Sequence, residues 1–134
     1  MQLKNLTHGQ ILFLPDDLLW TDEHLWTPAV ATVSYLLTGA LLVESATRLA
    51  GRPITLQAPD DMAWVTRGVL DQLYLWATAP EQAFELRFAD GTPFIVAFRH
   101  QDQAIEASPG LGFPIYTSAA ALAYYRIQLR LMTI

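Results

Sequence analysis

The densest gathering of groups able to do chemistry is Asp16, Asp17, Asp22, Glu23 and His24. Four carboxylates and an imidazole could hold a hard cation or share a proton. A hard-cation loop needs a defined alternation of oxygen ligands. Here the acids surround Leu18, Leu19 and Trp20, so the stretch reads as a solvated loop. Asp60-Asp61 has the form of a general acid–base pair, but an Asp also accepts the free N–H groups of a first helical turn and suits the helix dipole. Capping explains both without further assumptions. His8, His24 and His100 stand far apart, without metal-ligand spacing. Neither a nucleophile elbow nor a phosphate-binding glycine loop is present, and Gly110-Leu111-Gly112 is too short to be one. His100 has no visible nucleophile partner. The expectation is no catalytic set, no metal and no cofactor, hence no enzyme.

The elements that would position any site cluster between Gly51 and Arg99. Ile54-Thr55-Leu56 is a short strand between Pro53 and Pro59. Met62, Val65, Val69, Leu73 and Trp76 recur at spacings of three and four, which predicts an amphipathic helix over about residues 60–78. Pro80 ends it, because the residue before a proline avoids helical geometry. Phe84, Leu86 and Phe88 alternate with polar neighbours. Asp90-Gly91 is a favoured turn pair, and Phe94, Val96 and Phe98 alternate after it. This predicts a hairpin whose aromatic face the helix covers.

Elsewhere, residues 1–10 read as an arm or loop, and Ile11 to Leu14 as a short strand. Asp16 to Glu23 reads as a turn or a bent edge strand. Val30 to Leu37 and Ala40 to Leu49 form either a hairpin or one long strand kinked at Gly39. Residues 100–123 read as a long loop with one helical turn near Ser118. Tyr125, Ile127, Leu129 and Leu131 predict a final strand with one apolar face. Trp20 and Trp26 fall near a sheet edge, where tryptophans anchor either a core or an interface. The rarity of exposed tryptophan favours the core. The fold class expected is α+β, mainly β: an antiparallel sandwich or barrel-like sheet with one flanking helix, in a single domain over residues 1–134.

The 134 residues are 52% hydrophobic and 16% charged, with net charge −5. A domain of this size has much surface for its core, so part of the apolar content is expected in subunit contacts. Lys4 is the single lysine. With no basic run, phosphate neutralisation is not built in, which sets nucleic acid aside. The acidic balance argues against anionic lipid. The apolar window from Ala29 to Val43 is too short for a membrane helix. There is no cysteine, which excludes disulfides and Cys-based zinc sites. MQLKNLTHGQ has no signal-peptide architecture.

Several stretches are similar to small tail proteins of bacteriophages and prophages, of the distal-tail type. These are Leu14-Pro15-Asp16-Asp17-Leu18-Leu19-Trp20, Thr38-Gly39-Ala40-Leu41, Gly51-Arg52-Pro53-Ile54-Thr55-Leu56, Ala63-Trp64-Val65-Thr66-Arg67, the hairpin through Asp90-Gly91 to Phe98-Arg99-His100, and Ala104-Ile105-Glu106-Ala107. The resemblance implies a virion structural protein of the tail tip or baseplate, with a tail-tube-like fold. It would be made in the host cytoplasm and assembled into a ring, hexameric or trimeric, with adjacent tail proteins. Candidate interface residues are then Trp20 and Trp26, with Leu111, Phe113 and Tyr116 in the late loop. The alternative is a stand-alone β domain for a small ligand or peptide, which needs a deep apolar pocket within one copy.

Overall fold

A computed structural model describes residues 1–110 and 123–134. The strands in chain order are β1 (Gln2–Asn5), β2 (Ile11–Phe13), β3 (Leu19–Trp20), β4 (Ala29–Tyr35), β5 (Leu41–Thr47), β6 (Pro53–Gln57), β7 (Trp64–Thr66), β8 (Phe84–Arg87), β9 (Pro93–Phe98), β10 (Ile105–Pro109) and β11 (Tyr124–Thr133). One α-helix, α1 (Arg67–Ala77), lies between β7 and β8. The fold is α+β and mainly β, with antiparallel pairing throughout, as expected.

The strand at the centre is β11. It is ten residues long and pairs with four others. One of its sides carries β7 and then β6; the other carries β10 and then β9. Its alternation dictates this. Tyr125, Ile127, Leu129 and Leu131 all point into the core, and Leu129 and Leu131 are fully buried. From β9 the main sheet continues through β8 and β1 to the edge strand β2, and from β6 it ends at β3. The sheet curls on itself. Three strand spacings separate β3 from β9, roughly 14 Å if flat, yet the rings of Trp20 and Phe94 are 5.5 Å apart. One core results, centred on Leu3, Ile54, Leu56, Leu73, Phe84, Leu86, Val96, Leu129 and Leu131. Each buried aliphatic or Phe side chain there contributes about 1.5–3 kcal/mol.

The hairpin of β8 and β9 forms as its pattern predicts. Phe84 lies opposite Val96 and Leu86 opposite Phe94, and Gly91 takes the left-handed φ of 87° that the turn requires. Trp76 of α1 packs on Phe84, which packs edge-on against Phe98.

Three expectations need correction. The helix starts at Arg67, not near residue 60. Trp64–Thr66 pairs with Tyr124–Arg126, so the sheet claims that segment, and Asp61 and Ala63 take positive φ in the turn before it. The N-cap is Thr66, whose hydroxyl accepts from the Val69 N–H. The buried stripe is Leu70, Leu73 and Trp76, while Met62 is exposed. Second, residues 1–10 are no loose arm: Gln2–Asn5 pairs with both β2 and β8. Buried Asn5 closes the following turn by accepting from the N–H groups of Thr7 and His8. Third, the stretch from 100 is not all loop, because Ile105–Pro109 pairs with β11. The turn expected near Ser118 lies outside the described residues.

Candidate functional site: an exposed hairpin arm and its root

Between β3 and β6 the chain leaves the body. Among the described residues, Ala29–Tyr35 and Leu41–Thr47 pair only with each other, as a separate two-stranded sheet. This settles the open choice at Gly39: the segment is a hairpin, and Gly39 (φ 84°) sits in its tip. The Leu36 N–H donates to the Ala40 carbonyl and the Gly39 N–H to the Leu36 carbonyl, closing the turn. Every residue of both strands is exposed. Their side chains are nonetheless core types: Val30, Val33, Tyr35, Leu41, Leu42 and Val43, with Leu36 and Leu37 at the tip.

The two faces of this arm differ. Cross-strand partners put Ala29, Ala31, Val33, Tyr35, Leu41, Val43, Ser45 and Thr47 on one face. The other carries Val30, Thr32, Ser34, Leu42, Glu44 and Ala46. One side is a charge-free ribbon, mostly apolar towards the tip; the other holds the arm strands' one charged residue, Glu44.

The root of the arm is clamped. The Arg48 guanidinium lies 4.8 Å above the Trp26 ring and donates to the Thr27 carbonyl. Arg52 lies 4.5 Å above Trp20 and 5.9 Å from both Trp26 and Phe94. It also donates from Nη2 to the Glu23 carbonyl at 2.9 Å. Trp20 is stacked on Phe88 at 5.4 Å. Such cation–π contacts are worth about 0.5–2 kcal/mol each. The returning chain is sewn to the end of β11: the Gly51 N–H donates to the Thr133 carbonyl, and the Arg52 N–H to Thr133 Oγ1.

A polar relay holds the other side of the root. Asp22 accepts from the Thr55 N–H at 2.9 Å through Oδ1 and from the Thr55 hydroxyl at 2.8 Å through Oδ2. Arg99 Nη2 donates to that same hydroxyl oxygen. Burial opposes the charge on Asp22, but the two Thr55 hydrogen bonds, together with the Trp20 indole N–H and the Asp22 backbone N–H, outweigh it and hold the Asp22 pKa below the usual carboxylate value. The Trp20 indole nitrogen faces the same carboxylate from outside hydrogen-bond geometry.

The residues singled out for chemistry are not brought together. Asp16 pairs with the Met1 amine, Asp17 accepts from the Ala63 N–H, Asp22 holds Thr55, and Glu23 pairs with exposed His24. Among the described residues no group of three or more His, Cys, Asp or Glu could hold a metal ion. Asp60 pairs with Arg126 instead of capping the helix. Trp20 and Trp26 are half-buried at the root: Trp20 packs into the body, and Trp26 lies under Arg48 and Arg52. Leu111, Phe113 and Tyr116 lie outside the described residues. Trp20, Glu23, Arg52, Phe88, Asp90, Thr92 and Phe94 line an open surface hollow, whose aromatic rings pack on one another and on Arg52. Among the described residues no helix is long and apolar enough to cross a membrane.

What sequence reasoning did not single out is the arm itself. Its signal was present: two alternating apolar strands of equal length around Thr38-Gly39, with Glu44 as their one charged residue. Comparison with family models, curated proteins and solved structures gives no match to this chain.

Proposed function

We propose that this chain is a structural subunit that assembles with copies of itself into a ring, in the manner of the distal-tail proteins it resembles, at a phage tail tip or baseplate. The observation that carries this reading is the arm. Fourteen strand residues, seven in each of β4 and β5, lie exposed on both faces, and six of them, Val30, Val33, Tyr35, Leu41, Leu42 and Val43, are large apolar side chains of core type. An isolated two-stranded hairpin is marginal in water, and so large an apolar patch on a monomer marks an interaction site. The clamp of Arg48, Arg52, Trp20 and Trp26 supports the same reading. A root held by stacked cations and rings presents the arm in one direction, which lowers the ordering cost of association. A head-to-tail contact that closes by rotation generates a ring.

Light scattering coupled to size exclusion, run across a concentration series, tests this. The expected result is a discrete hexamer or trimer that becomes monomeric when Val33, Leu41 and Val43 are changed to Asp. A wild-type monomer at every concentration overturns the reading.

A further inference from the structure

We infer that the arm of one copy adds as a strand to the free edge of β2 in the next copy. The inference rests on the ring reading and names the surface that the arm meets.

The hydrogen-bond phase of the two elements carries it. In an antiparallel ladder, alternate pairs exchange both N–H···O bonds, and the residues between them turn their backbone groups outward. At β2 the Leu14 N–H donates to the Met1 carbonyl and the Asn5 N–H to the Gln10 carbonyl. With Leu3 opposite Leu12, the bonded pairs are Met1–Leu14, Leu3–Leu12 and Asn5–Gln10. Ile11 and Phe13 therefore turn their N–H and C=O groups away from β1, to the outer edge of the sheet, and among the described residues β2 has no strand on that side. Both side chains are exposed, Phe13 at 67%.

The arm has the same phase. The Arg48 N–H donates to the Pro28 carbonyl and the Leu36 N–H to the Ala40 carbonyl, so Val30–Ala46, Thr32–Glu44 and Ser34–Leu42 are the bonded pairs. Ala29, Ala31, Val33 and Tyr35 on one edge, and Leu41, Val43, Ser45 and Thr47 on the other, turn their backbone groups outward. These are the residues of the charge-free face. Antiparallel addition to β2 sets outward residues side by side in bonded pairs. Ile11 and Phe13 then continue the apolar row formed by Val33 and Tyr35 or by Leu41 and Val43, while Glu44, Thr32 and Ser34 stay on the opposite face.

A second copy is the occupant that fits. The free edge of β2 and the free edges of the arm belong to one chain, and among the described residues the arm's strands pair only with each other. Either edge of the arm offers seven residues, Ala29–Tyr35 or Leu41–Thr47, more than enough to run along the three of β2, Ile11–Phe13. Strand addition of this kind takes affinity from main-chain bonds and specificity from alternate side chains.

The absence of native cysteine makes the test clean. Phe13→Cys is combined with Val33→Cys in one protein and with Val43→Cys in another, and each is oxidised under conditions where the wild type assembles. The expected result is a covalent ladder of dimers and higher species with at least one pair, and none when Phe13→Cys is combined with Leu75→Cys on the exposed face of the helix. Phe13→Asp, whose side chain has no part in the core, is expected to keep the thermal midpoint and raise the concentration needed for assembly at least tenfold. Assembly by scattering without either cross-link, or with Phe13→Asp assembling as the wild type does, overturns this contact and leaves the ring. A wild-type monomer overturns both.

Discussion

The body and the arm are built from the same kinds of strand, yet they meet opposite fates. In the body, β11 alternates Tyr125, Ile127, Leu129 and Leu131 inward with Arg126, Gln128 and Arg130 outward, and all four inward residues are buried. In the arm, Val33, Tyr35, Leu41 and Val43 alternate just as regularly, and all four are exposed. The difference is the number of neighbours. β11 has strands on both sides and a core beneath, whereas among the described residues β4 and β5 have only each other. Apolar alternation therefore states that a face requires cover; it does not state which molecule supplies it.

Truncation of equivalent residues in the two regions should have opposite effects. Leu129→Ala removes a fully buried side chain and should cost about 2–5 kcal/mol, from the lost transfer energy and the cavity left behind. Leu41→Ala in the arm should change the stability of the monomer by no more than about 0.5 kcal/mol while weakening assembly. Urea denaturation of the two variants at concentrations below assembly separates them, and an equal cost at both sites would refute the division.

The root offers a smaller test. Arg52→Ala removes the cation over Trp20 and the bond to the Glu23 carbonyl, and should destabilise by about 1–2 kcal/mol. The part of the tryptophan emission that Trp20→Phe removes should shift to the red in Arg52→Ala, as the ring loses its cover. An unchanged spectrum would mean that the clamp does not hold that ring. At the helix start, Thr66→Ala should cost about 1 kcal/mol by thermal melting. No loss there would mean that sheet pairing of Trp64–Thr66 alone fixes where the helix begins.

The smallest expected effect is a pH dependence at the root. The native Asp22 pKa is depressed, so the unfolded chain binds the proton more readily. The stability this contributes is full above the ordinary Asp value near 3.8 and is lost as pH falls through the lower native value. Unfolding midpoints measured from neutral pH down to pH 3 should fall less steeply for Asp22→Asn than for the wild type. Parallel curves would show that the Thr55 hydrogen bonds carry no linkage.

Much of the fold was legible from local signals. The hairpin of β8 and β9 follows from alternation around Asp90-Gly91, and β11 from eight residues of strict period two. The helix was legible in kind but displaced in its start. A helical spacing of Met62 and Val65 with Val69 competed with strand pairing of Trp64–Thr66, and only contact with Tyr124–Arg126 decides between them. The first strand was hidden because Leu3 and Asn5 are its only inward residues, and a buried Asn does not announce itself. The tryptophans were visible as anchors, but their covering arginines, Arg48 and Arg52, lie more than twenty residues further along the chain.

Residue order alone set which strands carry an apolar face and where a turn with positive φ falls, at Asp90-Gly91. Only the tertiary structure decided which of those faces the chain covers with its own residues. Turn chemistry and side-chain period act over a few residues, so they can be read along the chain. Cover comes from segments far apart in sequence, and for Val33, Tyr35, Leu41 and Val43 no segment of the same copy supplies it among the described residues.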